Sequence, residues 1–196
     1  MITLVVLVEN RPGVLTRVAS LARRRAFNIE SLTVGHTETD GVSRMTIVVD
    51  SDHYGARRLE AHLYKLVNVL RVDNITESPA VYRDLAMIKV AATPENRAQV
   101  LQLADVFRAR VIDVGPQSLV IEITGTEDKI DGLLEVLRPY GVLEMARTGR
   151  LAMRRGAAEA NGGKHLRVDA DVSFIDSTRL AGRSATPADE EVSYSV

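Results

Sequence analysis

Residues 2–15 read I-T-L-V-V-L-V-E-N-R-P-G-V-L, and their reading decides the fold. The run Ile2 to Val8 is apolar without polar alternation, which fits a strand buried on both faces. Pro12 follows at once and fixes φ for a first helical turn without losing a needed donor. A strand therefore feeds straight into a helix. Gly13 has no side chain, so the amides of Gly13, Val14 and Leu15 lie open to close approach. Unpaired donors and the helix dipole favour an anion there, and a small carboxylate fits.

Outward from this stretch, Val14, Leu15, Val18, Leu21 and Ala22 fall on one helical face, with Arg23, Arg24 and Arg25 at the helix end where cations suit the dipole. Phe27 to Val34 reads as a second strand, Gly35 to Val42 as its turn and Ser43 to Asp50 as a third strand. Leu59, Leu63, Leu66 and Val67 recur at helical spacing, and Val69 to Ile75 closes a βαββαβ unit. The order then repeats. Leu85 to Ala92 reads as a strand, and Thr93-Pro94 as cap and first turn of a helix bearing Val100, Leu103, Ala104 and Phe107. Val111 to Val114 and Leu119 to Thr124 are strands around Gly115-Pro116. Ile130, Leu133, Leu134 and Leu137 make a helical stripe that Gly141 stops before Val142 to Ala146.

The expected fold class is α+β, two ferredoxin-like βαββαβ modules with a flexible C-terminal tail, each module a four-stranded antiparallel sheet with two helices on one face. The uncovered face of each sheet must find a partner. The expected division is 1–78, 83–156 and a largely disordered tail at 157–196, where Gly162-Gly163 reads as a flexible joint. Within that tail Leu166, Val168, Ala170, Val172 and Phe174 alternate as a half-buried strand would.

Composition narrows the function classes. Lys+Arg at 25 against Asp+Glu at 26 leaves almost no net charge, so no global field recruits nucleic acid or an anionic membrane. Trp is absent and aromatics make up 4%, poor material for stacking on single-stranded nucleic acid. Zero cysteines exclude disulfides and thiolate chemistry, and the chain shows neither a signal segment nor an apolar run of membrane-spanning length. A cytoplasmic protein is expected, with no nucleic-acid or membrane partner.

The opening motif read alone is open between a plain strand-to-helix turn and a ligand site. Its pairing with Asn28 strengthens the second without deciding between them, because strand two of this fold begins near the start of helix one or near its symmetry mate. Asn10 and Asn28 offer donors and acceptors without charge, which suits a zwitterion. His36, His53, His62 and His165 show no paired metal-ligand spacing, and Ser43, Ser118 and Asp113 sit in no nucleophile or phosphate-loop motif. No metal site and no catalytic residue are expected. Arg24 and Asn28 invite comparison with acylphosphatases, but the glycine pattern of the loop differs and a shared fold carries little weight.

The segments E-N-R-P-G-V-L-T-R-V (9–18), N-I-E-S-L-T-V-G (28–35) and S-R-M-T-I-V-V (43–49) resemble the regulatory small subunit of acetohydroxyacid synthase, also called acetolactate synthase, whose first module is an ACT domain. L-V-N-V-L-R-V (66–72), F-R-A-R-V-I-D-V (107–114) and M-A-R-T-G-R-L-A-M-R-R-G (145–156) extend the resemblance over residues 1–156. It implies a non-catalytic subunit that activates a catalytic large subunit and confers feedback inhibition, usually by valine, in branched-chain amino-acid biosynthesis. Thiamine diphosphate, Mg and FAD then belong to the catalytic partner, and this chain binds no cofactor.

The resemblance also implies that two ACT domains pair side by side in a homodimer, with valine or another branched-chain amino acid at the interface. Asn10, Gly13, Val14 and Leu15 come from one chain, and Asn28 and Ile29 from its mate. Arg11 receives no role. The second module has Thr93-Pro94-Glu95 in place of the Pro-Gly pair, where Glu95 repels a carboxylate, and its implied task is docking. The series Arg147, Arg150, Arg154 and Arg155 reads either as a solvated basic edge or as a surface facing an acidic patch on the catalytic subunit. The tail departs from the family pattern. The alternatives are a stand-alone ACT-type amino-acid sensor and, further off, an autonomous ferredoxin-like enzyme.

Overall fold

β1 (Ile2–Glu9) occupies an inner position of the first sheet, between β3 (Val42–Val49) and β4 (Val69–Asn74), with β2 (Ile29–His36) outside β3. All three pairings are antiparallel. The computed structural model describes residues 1–156, so the division and strand expected beyond residue 156 lie outside the described residues. Helices α1 (Val14–Arg24) and α2 (His53–Leu63) complete the first βαββαβ module. Ile2, Leu4, Val6 and Val8 pack against Val14, Val18 and Leu21 of α1 and Ala56, Leu59 and Leu63 of α2. Each such side chain contributes on the order of 1.5–3 kcal/mol by leaving water. Asp52 caps α2 by accepting from the Gly55 amide at 2.6 Å.

The second module repeats the plan with β5 (Ala80–Ala91), α3 (Arg97–Val106), β6 (Arg110–Val114), β7 (Ser118–Gly125), α4 (Glu127–Leu137) and β8 (Val142–Arg147), in the sheet order β6-β7-β5-β8. Ile88, Leu119, Ile121, Ile130, Leu133 and Leu137 are its fully buried centre. The α+β reading with two ferredoxin-like modules is thus the architecture found. Gly141, at φ 95°, ends the short 3-10 turn Arg138–Tyr140 that extends α4.

Four local expectations change. The Pro-Gly turn places Gly13, not Pro12, at the cap of α1, so the helix starts at Val14. α3 begins at Arg97 rather than at Thr93-Pro94, because the amides of Asn96 and Arg97 both turn back onto the Thr93 carbonyl. β5 starts five residues earlier than the apolar run suggested, at Ala80, and its added length pairs with a strand absent from the sequence reading, β9 (Leu151–Arg154). β2 runs to His36, so the turn that follows it is shorter than expected.

β8 and β9 follow one another along the same strand. Val142 to Arg147 pairs β5 from Val90 back to Ala86, and Leu151 to Arg154 continues from Arg83 to Ala80. This β5–β9 ribbon covers the outer face of the first sheet: Ala152, Ala80 and Tyr82 pack with Val5 and Ile75. The lack of polar alternation in Ile2–Val8 is thereby explained, since Val5 is as buried as Val6. Arg44 donates to the Ala152 carbonyl at 2.6 Å, and burial pulls its guanidinium below the ordinary range while Asp73 and Glu38 oppose that shift. The first sheet's partner is therefore this chain itself, while Met87 remains exposed on the outer face of the second sheet.

Candidate functional site

The loop that leaves β1 is pinned from two sides. The Asn10 amide donates to the Gly41 carbonyl at 2.7 Å, tying the loop to the β2–β3 hairpin, and the Glu9 amide donates to the Asn68 carbonyl at 2.9 Å. The Asn68 side chain closes the second tie: its Nδ2 donates to Glu9 Oε2 at 2.7 Å, and its Oδ1 accepts from Arg17 on α1. Arg11, to which the sequence assigned nothing, pairs with Glu9 at 3.3 Å and so joins this buttress. The cue in the sequence was Asn68, a lone polar residue inside the apolar run L-V-N-V-L.

The pinned loop delivers Gly13 at φ 81°, ψ −6°, a left-handed conformation that glycine adopts without cost. No side chain caps α1, and the Val14 amide makes only a long 3.4 Å bond to the Arg11 carbonyl. The first amides of the helix therefore retain capacity for an acceptor from outside. A Cβ built on Gly13 meets nothing within 4 Å, so the cradle is open. Val14 contributes only backbone, because its side chain is in the core, whereas Leu15 is exposed at 44%.

The two asparagines present the same chemistry. Asn28 Nδ2 donates to Glu30 and Asn10 Nδ2 lies 3.4 Å from His36 Nδ1, so each amide nitrogen is engaged within the chain. The carboxamide oxygens are left as acceptors, the arrangement an ammonium group requires. His36, read from the sequence only as a lone histidine, is thus a neighbour of Asn10.

One chain does not bring these groups together. Ile2 and Ile29 both align with Val49, whereas Glu9 aligns with Val42 and His36 with Ser43. Asn28, eight residues before Asn10's neighbour His36, therefore sits at the opposite end of the first sheet from Asn10, roughly 26 Å away at about 3.3 Å per strand residue. Strand two does not begin beside the start of helix one. β2 is, however, an edge strand, and its outer backbone edge is unpaired among the described residues.

The second module is built differently at the equivalent place. Arg97, the first residue of α3, donates through Nη2 to the carbonyls of Ala92, Gly115 and Pro116 at 3.1, 2.8 and 2.7 Å. These bonds tie the β5–α3 loop to the β6–β7 turn and place a guanidinium where the first module has its Pro-Gly turn; the sequence flagged only Glu95 here. Among the described residues no cluster of His, Asp and Glu could hold a metal ion, and no helix is long and apolar enough to cross a membrane.

The basic series reads differently in three dimensions. Arg147 pairs with Asp84 at 2.6 Å and Asp131 at 3.2 Å, Arg150 pairs with Glu127, and Arg154 lies 4.0 Å from Asp73. These three residues are not a free solvated edge, because each has an acidic partner inside the chain. Arg155 alone of the series is exposed.

A ferredoxin-like module whose first strand ends in an open, glycine-capped helix start defines an ACT-type regulatory module. A family model described as "AHAS small subunit-like ACT domain" matches residues 4–71, and one described as "Small subunit of acetolactate synthase" matches residues 83–156. The chain belongs to the family of acetolactate synthase small subunits. It is 53% identical to the "Probable acetolactate synthase small subunit" of Archaeoglobus fulgidus, over 79% of this chain and 96% of that one. With the acetolactate synthase small subunit of Mycolicibacterium smegmatis it shares 48% identity over 79% of this chain and 91% of the relative. The crystal structure of the small subunit from Thermotoga maritima superposes with a TM-score of 0.75 at 40% identity, covering 79% of this chain and 97% of that one. Membership in this family makes the chain a regulatory subunit and implies a catalytic large subunit as its partner.

Proposed function

We propose that this chain, without catalysing a reaction itself, activates its catalytic subunit and makes it sensitive to a branched-chain amino acid, valine foremost, bound between the ACT modules of two copies. The observation that carries the reading is the placement of Asn10 beside one end, and of Asn28 at the other end, of an edge strand whose outer side is unpaired among the described residues. Antiparallel pairing of β2 with β2 of a second copy about a two-fold axis aligns the second copy's Ile29 with His36. That brings the second copy's Asn28 to the Asn10 and Gly13 end.

In that site the helix-start amides of Gly13, Val14 and Leu15 hold the carboxylate. The carboxamide oxygens of Asn10 and the second copy's Asn28 accept from the ammonium. Leu15, exposed at 44%, and Ile29 line the space for a branched side chain. The dimer is required because each chain supplies half of the contacts. Thiamine diphosphate, Mg and FAD are carried by the catalytic subunit, and the assembly works in the cytoplasm.

Effector binding shifts the holoenzyme toward a less active state by the difference in its affinity for the two states. The test adds this chain to its cognate catalytic subunit and follows acetolactate formation while valine, leucine and isoleucine are titrated. A rise in rate on mixing and a fall with valine are expected. No rise on mixing would sink the reading.

A further inference from the structure

The strand that carries Ile29 is anchored on its outer face by the second module. Ser31 Oγ accepts from the Arg150 amide at 2.9 Å, and Thr33 Oγ1 donates to the Arg150 carbonyl at 3.2 Å. These contacts fall at the break between β8 and β9. Gly149 turns the ribbon there at φ 87°, and a Cβ on it would lie 2.5 Å from Ser31 Oγ, so the break is fitted closely against β2.

The Arg150 side chain extends the connection. Its Nη1 donates to Thr3 Oγ1 at 3.3 Å, its Nη2 reaches Glu127 at the start of α4, and its guanidinium lies 5.5 Å from the centre of the Tyr82 ring. On the other side, Glu30 accepts from Asn28, and the register of β2 against β3 shifts between Ile29 and Ser31. This irregularity lies directly between Ile29 and the Ser31 contact, so the two lie close together on one strand. A cavity of about 140 Å³ beside it is lined by Glu30, Ser31, Glu127, Gly149 and Arg150, among others.

Resting on the function proposed above, we infer that the segment Thr148–Arg150 transmits effector occupancy from β2 to the second module, with Ser31, Thr33 and Arg150 as its positioning residues. The effector contacts Asn28 and Ile29 at the start of β2. Two and four residues further along, the same strand holds the ribbon break, and the break holds α4. A shift of the strand start cannot be absorbed by Ser31 and Thr33 without moving Arg150 away from its present bonds, and coupling between sites travels through such packed, hydrogen-bonded contacts.

The test uses the full chain with its catalytic subunit and the double variant Ser31→Ala/Thr33→Val, which keeps side-chain volume and removes both hydroxyls. Three quantities are read: activation of the catalytic subunit, the valine Kd of the chain by calorimetry, and the valine concentration giving half inhibition. Expected are unchanged activation, a Kd within about two-fold of wild type, and half inhibition displaced by roughly 5- to 150-fold, the usual span of coupling between sites. Thr33→Ser alone, which retains the hydroxyl, should stay close to wild type.

A double variant inhibited like wild type overturns the inference and leaves the proposed function standing. Loss of valine binding in the double variant also overturns it, since the hydroxyls would then belong to the site and not to its connection. A wild-type chain that neither binds valine nor confers inhibition overturns both readings together.

Discussion

Replacing Gly13 by Asn and by Asp separates backbone strain from charge at the cradle proposed to hold the effector. Gly13 sits at φ 81°, where a side chain other than glycine costs about 1–2 kcal/mol, and least for Asn and Asp, which visit this region most readily. Apart from the adjoining residues no atom lies within 4 Å of the added Cβ, and Asn and Asp are nearly the same shape, so both variants should fold with similar, modest losses of stability. They differ by one charge, placed at the mouth of the helix start.

If the ligand carboxylate sits there at about 4 Å, repulsion amounts to roughly 1 kcal/mol in water and about 4 kcal/mol at an effective dielectric near 20. At 1.4 kcal/mol per tenfold, that range corresponds to about 5-fold up to several hundred-fold weaker valine binding in the Asp variant than in the Asn variant. The assay is half inhibition of the holoenzyme by valine, with urea unfolding of both variants to check that their stabilities match. Activation by both should persist. Equal valine sensitivity of the two variants at matched stability would refute the assignment of the carboxylate to this cradle.

Two further outcomes concern the fold. Leu59→Ala, at a site 1% exposed between α2 and the first sheet, should lower unfolding stability by about 2–5 kcal/mol, read from the urea midpoint at unchanged slope. Arg147→Met should cost about 3 kcal/mol, because Asp84 is 5% exposed and loses both the 2.8 Å bond from Arg147 Nε and the 2.6 Å contact from Nη2. The double variant Arg147→Met/Asp84→Leu should regain most of that loss in the same urea assay, since no buried charge is then left unpaired.

Much of the fold was legible because the signals are local. The helical stripes Val14-Val18-Leu21 and Ile130-Leu133-Leu137 are core positions, and the runs Ile2–Val8 and Leu119–Thr124 fall within strands. The details that escaped depend on residues distant in the chain. β9 is four residues long and its buried residue, Ala152, is small, while Leu151 and Met153 are exposed, so its pattern opposes the usual in-and-out rule. Arg147, Arg150 and Arg154 looked like a basic edge because Asp84, Glu127 and Asp73 are remote in sequence. At the candidate site, the helix start and the Asn10–Asn28 pair could be picked out from residue types. Their separation to opposite ends of a sheet could not, because it follows from the strand order.

The ribbon formed by β5 and β9 sets the order in which this protein can be completed. Val5, Val48 and Thr46 are 1–3% exposed, yet the shield over that face includes Ala152, which leaves the ribosome long after the first sheet's own strands. During synthesis the ACT module must therefore wait with an apolar face bare until the whole second module has emerged. A chain cut between the modules would keep the loop proposed to hold the effector and lose the cover over Val5 and Ile75, leaving an apolar face exposed. The second module is in this sense the built-in chaperone of the first.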